Sequence, residues 1–202
     1  MKNIIRIFLS IIFVFAFSAY SQNDAEKVVK ELQSKFDSIK DLSVEFTQLT
    51  SGKSKLAGML FIKKENNLKI DTKNLLIVSD GETFWSYNKK VNKVVISSYD
   101  ENEPSVFSIK ELVYDLPAES DIELSNDNGQ RVLKLTPNSY AYNFDNVKLW
   151  LSEDNLINKV VLNDGAMGKV EVRFSNYRLN QNLVDSDFSF TPPEGSRIID
   201  IR

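Results

Sequence analysis

The stretch VSDGETFWSYN, Val78–Asn88, contains a complete β-hairpin. Val78 and Ser79 end one strand, Asp80-Gly81 makes the tight turn, and Thr83 opens a second strand that carries Trp85 and Tyr87. Asp-Gly supplies the positive φ that a two-residue hairpin turn needs. A chain that reverses this sharply between two apolar runs builds antiparallel sheet, and the same grammar extends in both directions from this point.

Upstream, LSVEFTQL alternates Leu42, Val44 and Phe46 with polar residues, and NLKIDT alternates Leu68 and Ile70 with Lys69 and Asp71. Downstream, VKLWL sets Val147, Leu149 and Leu151 opposite Lys148 and Trp150, and KVEVRF sets Val170, Val172 and Phe174 opposite Lys169, Glu171 and Arg173. Ile122/Leu124 and Leu133/Leu135 repeat the pattern. Period two with one dry face is the signature of antiparallel sheet with one side in water. Turns at Asn88 to Lys90, Asp127-Asn128-Gly129, Asp154-Asn155 and Asp164-Gly165 separate about ten or eleven strands.

Two segments change period. Over Asp24–Leu42, Val28, Leu32, Phe36 and Ile39 recur at spacings of four, four and three, which predicts an amphipathic helix capped by Asn23 or Asp24. In EPSVFSIKELVYDL, Glu103–Leu116, Pro104 suits a first helical turn, and Val106, Ile109, Val113 and Leu116 follow at three, four and three. One long sheet with a single apolar face must close, fold over or curl around something. Two amphipathic helices are at hand to plug the concavity. The expected architecture is therefore α+β but mainly β: an unclosed antiparallel β-barrel with a helical lid. Periodicity leaves open whether its interior is full or hollow.

The 202-residue chain starts with Lys2 and Arg6, an uncharged apolar run of 11 residues from Ile7 to Phe17, and small residues Ala19 and Ser21 before Gln22. This is a secretory signal layout, and the run is short against the roughly 20 residues of a membrane span. Residues 1–21 are expected to be cleaved, leaving 22–202 as a single exported domain. Of 25 basic and 28 acidic residues, cleavage removes two basic ones, so the mature charge is −5. That balance gives no footprint for nucleic acid. With no histidine and no cysteine, serine–histidine dyads, cysteine nucleophiles, disulfides and histidine-ligated zinc are excluded. SNDNGQ, Ser125–Gln130, superficially suggests a calcium loop, but short flanking strands make it a hairpin. The acids cluster at turns and on wet faces, and no pair is marked out for glycosidase work. No catalytic residue, metal or cofactor is expected. The chain is rich in rings, with 13 Phe, 7 Tyr and 2 Trp, which suit either a core or a soft apolar cavity.

In order along the chain, a helix followed by VEFTQ, the strand GMLFIKK, LLIVSDGETFWSYN and the ending DFSFTPPEGSRIID resemble the LolA family of periplasmic lipoprotein carriers. The resemblance implies an unclosed barrel with a helical lid. It also implies a function: taking lipid-modified proteins from an inner-membrane ABC transporter, shielding their acyl chains and passing them to an outer-membrane acceptor. In the family, an arginine in an Arg-Pro step latches the lid. Here that position is Lys64, followed by Glu65, and Leu68 stands where the family has an aromatic. Lysine keeps the charge without the planar fork. Leu60, Ile62, Leu68, Ile70, Leu149 and Val172 are the expected cavity walls; Val106, Ile109, Val113 and Leu116 are the expected lid; Trp85 and Tyr87 belong at a rim or on the outer face. The expected partners are acyl chains of lipoproteins or other lipids, handled by a monomer. Two alternatives stand beside this reading: an interaction or sensor module with a filled core, and a carboxylate hydrolase.

Overall fold

The computed structural model describes residues 22–63, 66–99, 108–139, 142, 144–166 and 168–202. Helix α1, Gln22–Asp37, buries Ala25, Val28, Val29, Leu32 and Phe36 on one stripe and carries its charges on the other side. It is shorter than its periodicity suggested. Ile39 donates its N–H to Phe36 O (3.1 Å), tightening the last turn, and from Asp41 the chain is extended. Leu42, read as the end of the helix, belongs to strand β1 (Asp41–Thr50), because its period-two partners Val44 and Phe46 are buried with it.

The strands β2 (Ser54–Lys63), β3 (Asn67–Thr72), β4 (Leu75–Asp80), β5 (Thr83–Asn88) and β6 (Lys93–Ser98) follow β1 as one antiparallel meander. The hairpin Val78–Asn88 is β4 turning into β5, with Gly81 at φ +93°. A second helical element, α2, spans 109–118, with a π-helical turn at Glu111–Asp115 followed by Leu116–Ala118. It runs through Pro117, past the end that the period predicts; the expected start of this helix, including Val106, lies outside the described residues. A second meander comprises β7 (Ser120–Asp127), β8 (Gln130–Pro137), β9 (Phe144–Leu151), β10 (Ile157–Asp164) and β11 (Gly168–Leu179). Pairing of β11 with β1 joins the two meanders. A twelfth strand, β12 (Arg197–Asp200), adds in parallel to β6. All twelve form one sheet, in the order β12-β6-β5-β4-β3-β2-β1-β11-β10-β9-β8-β7. The sheet is unclosed, with β12 and β7 at its two edges. It has one strand more than the upper expectation, and its one parallel pair was not foreseen.

The inner faces of β1–β3 and β8–β11 share a core with α1 and α2. The outer face of β4–β6 is covered separately. Register puts Val78, Trp85 and Ile96 in one outward row and Leu76, Tyr87 and Val94 in the next. The C-terminal tail lies across them. Its 3₁₀ turn, Asp185–Phe188, packs on β3 and β4 and buries Phe188, while Phe190 meets the Tyr87 ring at 5.6 Å. Of the two places expected for Trp85 and Tyr87, the convex face is where they sit.

Asp41 fastens the start of this tail. Its carboxylate is buried and accepts backbone N–H groups from Gln181 (2.7 Å), Asn182 (3.1 Å) and Leu183 (3.4 Å), as the chain leaves β11 through Asn180 and Asn182 at positive φ. Hydrogen bonds to a charged acceptor contribute more than neutral ones, and the donors left behind would be desolvated. Asp41→Ala is expected to lower stability by about 3 kcal/mol, read as a shift in the urea unfolding midpoint. A loss below about 0.5 kcal/mol would show that water replaces the carboxylate without penalty.

Candidate functional site

The site is the space between the concave face of the sheet and the two helices. Among the described residues, a cleft of about 20 Å³ lies there, room for about one water molecule. Its floor is Leu42 and Val44 of β1, Leu60 of β2 and Ile157 at the start of β10. Phe36 of α1 closes one side, and Ile109 and Leu112 of α2 form the roof. Phe174 and Tyr177 of β11 complete the wall.

A bulge explains how two aromatics three residues apart reach the same wall. Val170, Val172 and Phe174 point inward by simple alternation, which would turn Tyr177 out. The register between β1 and β11 slips between Ser43 and Glu45, and Asn176, opposite this slip, sits at φ +56°. One extra residue in a strand inverts the alternation beyond it. Tyr177 and Leu179 therefore pack against the core. The Tyr177 hydroxyl, the one polar side-chain group lining the cleft, donates to Ile157 O at 2.7 Å.

Of the six residues expected to form cavity walls, Leu60, Ile70, Leu149 and Val172 are buried in the core, and Ile62 and Leu68 are partly buried against it. Leu60 lines the cleft directly. Of the expected lid residues, Val113 and Leu116 are buried in the same core and Ile109 packs against it, whereas Val106 is outside the described residues. Lys64, at the position of the family latch, is also outside them. Sequence reading missed Phe36 and Leu112 as lining residues, and also Tyr177. The signal for Tyr177 was Asn176, a residue type that tolerates left-handed φ, placed inside a strand pattern.

The helices are held by polar ties around this apolar centre. Gln33 Nε2 of α1 donates to Val113 O of α2 (3.1 Å), and the Tyr114 hydroxyl donates to Asp37 Oδ1 (2.7 Å). Arg131 of β8 donates to Glu31 Oε2 (2.8 Å) and to Asn155 Oδ1 (2.7 Å), which fixes α1 to the rim of the sheet. The Tyr142 hydroxyl donates to Glu119 Oε2 (3.2 Å) just beyond α2. Among the described residues, no cluster of acidic side chains is arranged to hold a metal. Among the described residues, the cleft is lined by hydrocarbon and by the Tyr177 side chain.

Three tyrosines in these contacts have hydroxyls that are hard to ionise. Burial, then the hydrogen bond to Asp37 and its charge, pushes Tyr114 up to about 12. Burial pushes Tyr142 up to about 12, with the charge and hydrogen bond of Glu119 and the charges of Glu111 and Asp115 adding to it. Burial alone raises Tyr177. Each folded value lies above the ordinary tyrosine range of about 10, so the unfolded chain releases these protons first. Their stabilisation is complete below about pH 10 and is lost as pH rises from 10 through 12. Urea midpoints are expected to be level from about pH 7 to 9 and to fall from about pH 10 upward. Tyr114→Phe and Tyr142→Phe should each make that fall shallower.

The family profile described as "Outer membrane lipoprotein carrier protein LolA" matches residues 37–191. A protein of Legionella pneumophila (strain Lens) named outer-membrane lipoprotein carrier protein is 25% identical over 204 residues, covering 96% of this chain and 98% of its own length. One of the same name from Azotobacter vinelandii is 26% identical over 210 residues, covering 98% of this chain and 99% of its own. Among solved structures, an uncharacterized conserved protein from Thermus thermophilus shares the fold with a TM-score of 0.59 at 11% identity, over 88% of this chain and 99% of that one. The two sequence relatives bear the names of carriers, and no helix among the described residues is long and apolar enough to cross a membrane. By the profile match and the unclosed sheet under two helices, this chain belongs to the outer membrane lipoprotein carrier protein family, LolA.

Proposed function

We propose that this protein shields the acyl chains of lipoproteins, or of other lipids, in an apolar cavity beneath α2 and moves them through the periplasm from the inner to the outer membrane. The observation that supports this reading is the make-up of the interior. Every side chain lining the cleft is hydrocarbon except Tyr177, and its hydroxyl is already bonded within the protein. Leu60, Ile62, Leu68, Ile70, Leu149 and Val172 form the walls in this reading, and Ile109, Val113 and Leu116, with Val106, form the lid. The leader, 1–21, is removed on export and 22–202 acts as a single monomeric domain. Donor and acceptor are an inner-membrane ABC transporter and an outer-membrane receptor.

This cleft of about 20 Å³ is too small for an acyl chain, and in this reading it widens on loading as α2 gives way. The energies are matched for this exchange. Burial of Leu112, Val113 and Leu116 contributes roughly 5 to 9 kcal/mol, and a dozen methylenes entering the same space contribute about 10 kcal/mol before ordering costs. A near-even exchange lets cargo enter and leave. One observation favours a second reading. A cleft this small also suits a protein-interaction or sensor module that keeps α2 in place and uses its surface.

Mass spectrometry of an organic extract from the purified protein separates the two. Acyl chains support the carrier; an extract without them, together with failure to bind a fluorescent acyl probe, supports the module. Leu68→Glu tests the wall assignment. Leu68 is partly buried and pairs with Ile62, so the strand is expected to form with a carboxylate there. Probe affinity is expected to fall at least about tenfold, since placing a charge in an apolar site costs several kcal/mol, with an unchanged circular dichroism spectrum. Equal affinity in the variant removes Leu68 from the site.

A further inference from the structure

The charges of α1 are sorted around its circumference. Gln33 and Asp37 meet α2 on one flank, and Glu26, seven and eleven residues before them, falls on that same flank. Lys27, Lys30, Ser34 and Lys35 lie on the other side with Glu31, and there they face Asn155 in the turn between β9 and β10. Together these side chains line an open groove of about 440 Å³. Small-molecule sites commonly fall between roughly 300 and 1,000 Å³. Asp24, Glu153 and Asp154 are close in sequence but do not line it.

Glu31 is the acid that lines the groove, and it is already matched. Its Oε2 accepts from Arg131 Nη1 at 2.8 Å, and Lys27 Nζ stands 4.0 Å from its Oε1. Arg131 also donates to Asn155 Oδ1 (2.7 Å), which occupies the side-chain carbonyl of Asn155 and leaves its NH₂ group as a donor. The turn carrying Asn155 is braced from within: Asn155 N–H donates to Ser152 O (3.1 Å) and Leu156 N–H to Ser152 Oγ (3.0 Å). This wall is therefore in place before anything binds. Charges on a merely solvated face compensate one another; here the compensating acid is drawn to Arg131. The groove thus gathers three ammonium groups, a hydroxyl and an amide on a protein whose mature charge is −5. Ammonium and amide N–H groups are donors, and lysine holds phosphate as a point charge.

We propose that the groove between α1 and the β9–β10 turn binds a phosphate-bearing anion, with Lys27, Lys30 and Lys35 neutralising the phosphate and Ser34 and Asn155 donating to its oxygens. The groove lies outside the core under the helices, so this site stands apart from the carrier reading. Two sources bear the group, the headgroup of an anionic phospholipid and free phosphate, and the experiment separates them. Vesicles of phosphatidylglycerol mixed with phosphatidylcholine are compared with phosphatidylcholine alone by co-sedimentation at low ionic strength. Inorganic phosphate is titrated while the amide resonances of 27–35 and the side-chain amide of Asn155 are followed. The groove variant carries Lys27→Gln, Lys30→Gln and Lys35→Gln; glutamine keeps the helix propensity. A control of equal charge carries Lys53→Gln, Lys55→Gln and Lys148→Gln, three exposed lysines outside the groove. If the source is the lipid, the wild type prefers the anionic vesicles at least about tenfold, the groove variant loses the preference and the control keeps it. If the source is free phosphate, the groove resonances shift in the wild type and the control but not in the groove variant. Either pattern supports the site. Should the triple variant fail to fold, Lys30→Gln, at an exposed position, is expected to weaken binding about fivefold. If neither probe engages the groove, or if the control loses as much as the groove variant, the proposal is overturned.

Discussion

A sheet with one apolar face cannot leave that face in water, and this one does not close on itself to hide it. Its edges, β12 and β7, remain apart, so the concave side needs a cover from elsewhere in the chain. α1 and α2 supply it, placing Leu32, Phe36, Leu112 and Leu116 in one core with Val44, Leu133, Leu149 and Val172. Each such side chain contributes roughly 1.5 to 3 kcal/mol on burial. The helices satisfy the concave face with side chains of the protein itself.

The outside of the sheet is solved differently. The Val78, Trp85 and Ile96 row faces away from the helices, and the tail after β11 crosses the outer face of these strands. Asp41 clasps the start of that tail, and the Lys63–Asp185 pair and the Ser196–Asn92 bond (2.8 Å) hold it further along. The large aromatics of the hairpin thus brace the scaffold from its convex side.

Polar groups inside and around the apolar site have structural explanations. Tyr177 arrives at the wall through the bulge at Asn176, and its hydroxyl is spent on Ile157 O. Gln33 reaches the carbonyl that Pro117 leaves without its α-helical donor. Such ties are individually weak, about 1 kcal/mol each.

Alternation at Leu42/Val44/Phe46, Leu68/Ile70 and Val170/Val172, with Asp-Gly and Asn-Gly turns between, was enough to specify an antiparallel sheet with one dry face, and the spacing of Val28, Leu32 and Phe36 was enough for α1. These are local properties: side-chain period and turn conformation depend on neighbours a few residues away. The point where α1 yields to β1 is not legible in this way, because Ile39 and Leu42 continue the helical stripe and only pairing with β2 and β11 makes Leu42 a strand residue. Tyr177's inward turn, the parallel addition of β12 to β6 and the meeting of Gln33 with Val113 across 80 residues of chain were settled by tertiary structure. So was the packing of α1 and α2 on the concave face. Whether a concave apolar face encloses a void or a helix depends on how the volumes of distant segments add up, and no pattern along the chain carries that sum.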